Sequence, residues 1–328
     1  MKMPIAVLLV MVVSFPVFAQ QKKTGKQKTY IDPEKVDKDY AFQGEYSGEV
    51  DFGEGKSTLG VQIIALGDGK FKSTAYSGGL PGAGFDGQTI MNHEGKLEGS
   101  EGVFNADHAV GTVVNGMLVI TVPEEQEAGT LKKVERKSPT LGMEPPEGAV
   151  VLFDGSNVEQ WKNGKLSDDK LLMQGTTSKK MFQSHQLHLE FRLPYSPHAR
   201  GQKRGNSGLY VQGRYEVQML DSFGLEGKNN ECGGIYSIKD PDVNMCFPPL
   251  TWQTYDVEFT AAKFDETGKM TAKPRMTVKH NGVVVHDDVE LPKSTTASPM
   301  KPGAEPGPIF LQNHGNPVRY RNIWVVEK

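Results

Sequence analysis

The sequence predicts an all-β protein in two parts, the second a sandwich of two packed antiparallel sheets. Three observations predict it. Segments in the second half alternate apolar and polar residues with a period of two, as a strand with one buried face must. Asp-Gly and Asn-Gly pairs separate strand-like runs, and both accept the positive φ angles of tight hairpin turns. No long apolar pattern of period 3.6 interrupts these runs, so layers of sheet are the remaining way to build a core.

Met1 to Ala19 reads as a signal peptide. Lys2 supplies the positive start, Ile5 to Phe18 is mostly apolar, and Val17-Phe18-Ala19 fits a small-residue cleavage site. The run is too short for a comfortable membrane span, and no Cys follows it to accept a lipid. The expected product is exported, periplasmic or extracellular, with no transmembrane segment after cleavage. A polar, lysine-rich stretch then predicts a flexible leader over 20–39.

Residues 40–136 form the predicted smaller β-rich domain. Gly60 to Leu66 and Phe71 to Tyr76 flank Asp68-Gly69, while Val110 to Val114 and Met117 to Val122 flank Asn115-Gly116. The glycine-rich stretch Gly78 to Gly87 lacks the Gly-Lys-Ser/Thr ending of a phosphate loop and reads as an irregular surface loop. Pro139, Pro145 and Pro146 break the strand pattern and mark a linker over 137–148.

The larger domain is expected over 149–328. Leu187, Leu189, Phe191 and Leu193 share one strand face and His188, Glu190 and Arg192 the other. Glu190 should therefore point away from the core. Tyr215, Val217 and Met219 leave Glu216 and Gln218 on the opposite face, and Tyr255, Val257 and Phe259 alternate with Asp256 and Glu258. Asn281-Gly282 is a further hairpin turn.

A net charge of -3 provides no basic face for nucleic acid. The two cysteines, Cys232 and Cys246, either close a short loop as a disulfide or stay as buried thiols, since spacing alone does not fix the geometry. They do not make a zinc site by themselves.

Several motifs, taken in order, resemble the 3-keto-disaccharide hydrolase family of the concanavalin-like lectin/glucanase superfamily. They begin with Val151-Leu152-Phe153-Asp154-Gly155-Ser156 and Trp161, then Leu189-Glu190-Phe191-Arg192 and Gly205-Asn206-Ser207-Gly208-Leu209-Tyr210. Tyr215 to Asp221, Gly233-Gly234-Ile235-Tyr236, Trp252 and His280-Asn281-Gly282 follow. Leu311 to Gly315 and Arg319 to Ile323 complete the series. Where the family usually has Asp, this chain has Asn313.

The resemblance implies a jelly roll and a secreted enzyme that cleaves 3-keto glycosides. A ketone at C3 acidifies the C2 proton, so a base can remove it, the enolate can expel the anomeric oxygen, and water can add to the unsaturated product. Such a site needs a base, donors for the enolate oxygen and an acid for the leaving group. On this analogy Glu190, Glu216 and Asp221 are the candidate carboxylates, His314 the proton carrier and Arg321 the group polarising the ketone. Asn206, Ser207, Tyr210, Gln218, Trp252 and Gln312 are candidate substrate contacts, and Glu190 and Glu216 together would floor a sugar groove. A divalent cation is compatible with enolate chemistry, although no ligand spacing marks one. The expected partner is a glycoside or oligosaccharide. Two other functions fit the same fold, a noncatalytic glycan-binding module and a structural envelope protein.

Overall fold

The computed structural model describes residues 28–88, 90–123 and 126–328. The expected signal peptide and the leader up to residue 27 lie outside the described residues. From 28 onward the chain departs from the expected flexible leader. Tyr30 is buried and pairs its backbone with Tyr195, and short 3-10 turns at Pro33–Lys35 and Lys38–Ala41 lead into the first strand. The physical reason is aromatic: Tyr30 stacks on Tyr195 and Tyr40 meets it edge-on, with centroids 5.5 and 5.0 Å away.

Eight strands follow: β1 (Gly44–Asp51), β2 (Lys56–Gly67), β3 (Lys70–Ser77), β4 (Ile90–Glu98), β5 (Glu101–Asn105), β6 (Val110–Val114), β7 (Met117–Val122) and β8 (Gln126–Val134). Each pairs antiparallel with the next and β8 returns to β1, closing a barrel. Asp68-Gly69 and Asn115-Gly116 turn the β2–β3 and β6–β7 hairpins with all four φ angles positive. Tyr46, Ile63, Phe71, Phe104 and Leu131 fill the interior, and Tyr195 and Leu250 from the following region join the same cluster.

The remaining strands are β9 (Val150–Phe153), β10 (Trp161–Lys162), β11 (Leu172–Met173), β12 (Thr176–Phe182), β13 (His185–Arg192), β14 (Ser207–Val211), β15 (Tyr215–Met219), β16 (Trp252–Thr260), β17 (Lys263–Phe264), β18 (Met270–Ala272), β19 (Arg275–His280), β20 (Val283–Glu290), β21 (Gly307–Leu311) and β22 (Arg319–Glu327). They make a five-stranded sheet in the order β10-β12-β21-β14-β15. A seven-stranded sheet runs β11-β22-β13-β16-β19-β20, with β9 also on β22. This is the expected sandwich. Leu187, Leu189 and Phe191 of the large sheet share one core with Leu209, Val217, Met219 and Ile309 of the small one. Since side chains alternate along a strand, the residues between these point to the two outer faces.

Candidate functional site

Period two gives Glu190 and Glu216 outward positions, but on different sheets. Glu190 lies on β13 in the large sheet and Glu216 on β15 in the small one. Their outer faces look away from each other, so the single floor expected from the sequence does not exist. The two carboxylates sit in opposite electrostatic settings.

Glu190 is wholly buried by the segment after the barrel. The Gly142 N–H donates to its Oε1 at 2.5 Å, Asn322 Nδ2 donates to the same oxygen at 2.9 Å, and Arg321 Nε donates to Oε2 at 2.7 Å. Burial alone would raise its pKa, but these bonds and His188 hold it at about 2. His188 in turn bonds Asp256 through Nδ1 at 2.6 Å and stacks on Trp324. Thr140 donates to Asp256 at 2.7 Å, and Ser138 bonds Thr254 at 2.6 Å. This network fastens residues 138–143 onto the large sheet. It leaves Glu190 ionised, saturated with donors and closed to a substrate.

Arg321, expected to polarise a ketone, belongs to this face, paired with Glu190 and lying 4.1 Å over the Trp252 ring. Trp252 also carries Arg192 and is therefore occupied by cations on the large sheet, far in topology from Tyr210. Asp221 is buried against Arg204 at 2.7 Å, and Arg204 reaches the Ala65 carbonyl of the barrel. That pair binds the two parts of the chain together. Ser207 points into the sandwich, where its hydroxyl bonds the Gln312 carbonyl and the Tyr320 hydroxyl. Cys232 and Cys246 are buried free thiols.

The outer face of the small sheet brings the other candidates together. In register, Tyr210 faces Glu216 and Gly208 faces Gln218 across β14 and β15. Gln312, just past β21, is tied to Gly208 by its backbone N–H at 2.9 Å. The Tyr210 hydroxyl donates to Glu216 Oε2 at 2.8 Å and accepts from Gln312 Nε2 at 3.2 Å. Gly208 is required here because a Cβ would run into the Glu216 carboxylate. The missing side chain lets that carboxylate lie down on the sheet.

Glu216 is 2 % exposed, and its Oε1 has no hydrogen-bond partner among the described residues. Burial pushes its pKa up to about 7, against the lowering effect of the Tyr210 hydroxyl. Burial likewise pushes the Tyr210 phenol well above its ordinary value, so it stays a neutral donor. Two further polar atoms beside this face, Asn206 Oδ1 and Gln312 Oε1, are buried and unpartnered. Orphaned acceptors of this kind are what a ligand's hydroxyl groups satisfy.

Gln202, from the 3-10 turn at Gly201–Lys203, receives bonds from Asn206 Nδ2 and from Gln218 Nε2 through its Oε1. Asn316 Oδ1 accepts from the Asn206 N–H at 2.8 Å. Neither residue is marked in the sequence, because both come from loops without periodicity. The loop after Gln312 also carries His314, which is exposed. Among the described residues, no group of three or more His, Cys, Asp or Glu is placed to hold a metal ion. The candidate acids and His314 do not converge, so they do not form a cation site.

Residues 148–326 match the family described as the 3-keto-alpha-glucoside-1,2-lyase-like domain. A crystal structure from Parabacteroides distasonis, described as "a putative glycosyl hydrolase", is 32 % identical over 56 % of this chain and 85 % of its own, with a TM-score of 0.51. A second structure from that organism with the same description is 18 % identical over 56 % of this chain and 94 % of its own, with a TM-score of 0.41. No match is found among curated proteins.

Proposed function

The chain belongs to the family of 3-keto-alpha-glucoside-1,2-lyase-like domains, and from that premise we propose that it cleaves 3-keto glycosides with Glu216 as the base. The carrying observation is a buried carboxyl with a pKa of about 7, one oxygen held by Tyr210 and the other unpartnered, set beside orphaned acceptors. A general base works best when its pKa lies near the working pH.

In the proposed reaction the Glu216 carboxylate takes the C2 proton, and the C2–H electron pair forms the enolate with the C3 carbonyl. We assign the enolate oxygen to the Gln312 side-chain amide, which makes one hydrogen bond, to the Tyr210 hydroxyl, and keeps a second N–H. Collapse of the enolate breaks the C1–O bond, and the leaving oxygen gains a proton. We assign that proton to His314, two residues past Gln312 and exposed, where it exchanges with solvent. Water then adds its oxygen to C1, the proton it loses returns to His314, and C2 regains a proton from Glu216. The net change is hydrolysis of the glycoside.

A pair of substrates tests this. A 3-keto disaccharide should release its aglycone, while the same disaccharide bearing a C3 hydroxyl stays intact, since it offers no acidic C2 proton. Cleavage of both at similar rates would instead indicate a two-carboxylate glycosidase.

A further inference from the structure

We propose that the N-terminal barrel holds the end of an uncharged alkyl chain in its interior. A closed eight-stranded meander has an interior that side chains just fill or that one small ligand shares with them. Here the filling is incomplete. A cavity of about 90 Å³ lies inside, bounded by small residues where larger ones would close it, among them Ser73, Ala75, Ala109 and Gly111. Gly111 faces the interior, for a Cβ there would meet Leu118 Cδ1 at 3.2 Å. An apolar void left empty lowers stability in proportion to its volume, and an apolar guest removes that loss.

The two ends of the barrel differ. Phe42, just before β1, packs on Phe71 at 5.4 Å and helps plug the end that meets Tyr195. At the other end Phe52, just after β1, and Met91, near the start of β4, both line the cavity while remaining 51 % and 39 % exposed. An apolar path therefore runs from solvent to the interior. Among the described residues, Ser73 and His93 are the only polar side chains in the lining, and no Asp, Glu, Lys or Arg joins them. A charged group would lose its hydration inside without gaining a partner. At roughly 30 Å³ per small group there is room for about three carbons, with the rest of a chain leaving past Phe52.

The test is a titration of the full chain with octan-1-ol, read from the methyl NMR signals of isoleucine and leucine. Saturable shifts are expected at Ile63, Leu118 and Ile120, which line the cavity. Ala109→Leu, which fills it, should weaken binding at least tenfold. Phe52→Ser changes an exposed side chain and so keeps the fold, and it should also weaken binding. The proposal is overturned if no saturable shift occurs, if the shifts fall outside the barrel, or if Phe52→Ser binds as the parent does.

Discussion

A carboxyl group buried as deeply as Glu216 ordinarily either finds a cation or gives up its charge, and among the described residues its side-chain hydrogen bond is to a neutral phenol. The result is an acid whose pKa of about 7 lies well above its ordinary 4.5. The sign of the consequence follows from proton binding. Between those two values the folded chain holds a proton that the unfolded chain has released, so folding weakens as the pH rises through that window. A shift of this size corresponds to a loss on the order of 3 kcal/mol. Glu216→Gln should remove most of that dependence and be the more stable protein at pH 8, as measured by urea denaturation at pH 5 and pH 8. Equal pH dependence in the two proteins would place the raised pKa elsewhere. Activity should run the other way, rising with pH through about 7 as the base ionises.

Strand β13 carries the same residue type to the opposite outcome. Its alternation was legible in the sequence, and Glu190 does point out of the core. What the sequence did not disclose is that residues 138–143 fold back over that face, because a hydrogen bond from Gly142 to Glu190 leaves no trace in periodicity. Proline breaks marked the segment as a connection, but its Ser138, Thr140 and Gly142 are fasteners. Replacing Glu190 by Ala strands Arg321 and Asn322 without their acceptor and uncovers His188. The expected cost is about 3 kcal/mol, at the low end for breaking a buried pair because Arg321 is partly exposed. The midpoint of denaturation should fall accordingly, while the rate of keto-glycoside cleavage in folded protein stays within a few-fold of the parent. A large loss of rate with unchanged stability would return Glu190 to the chemistry. The candidate contacts on β14 and β15 fared better. Strand pairing sets Tyr210 opposite Glu216 and Gly208 opposite Gln218, while Asn206, just before β14, is held by Gln202 and Asn316.

At the scale of the whole molecule, two cores with separate hydrophobic clusters meet through buried polar links. Arg204 connects Asp221 to the Ala65 carbonyl, Tyr40 donates to the Pro249 carbonyl at 3.1 Å, and Thr74 donates to the Gly224 carbonyl at 2.9 Å. Hairpin turns and strand alternation foretold both β-rich parts. Closure of the barrel was not foretold, since β4 is mostly exposed and carries little apolar signal. Nor could a one-dimensional pattern say which sheet a strand joins, and that assignment separates Glu216 from Glu190 and Arg321. The family match supports a glycoside hydrolase-type role for the sandwich, and Glu216 on the small sheet is the carboxyl proposed as its base.

The most direct test is proton NMR of a 3-keto disaccharide in deuterated buffer, following the C2 signal with the parent protein and with Glu216→Gln. The parent should replace the C2 proton with deuterium during turnover, and the variant should slow both exchange and cleavage by about 10²- to 10⁴-fold, the usual worth of a positioned base. Cleavage and exchange that proceed undiminished in Glu216→Gln would contradict the account.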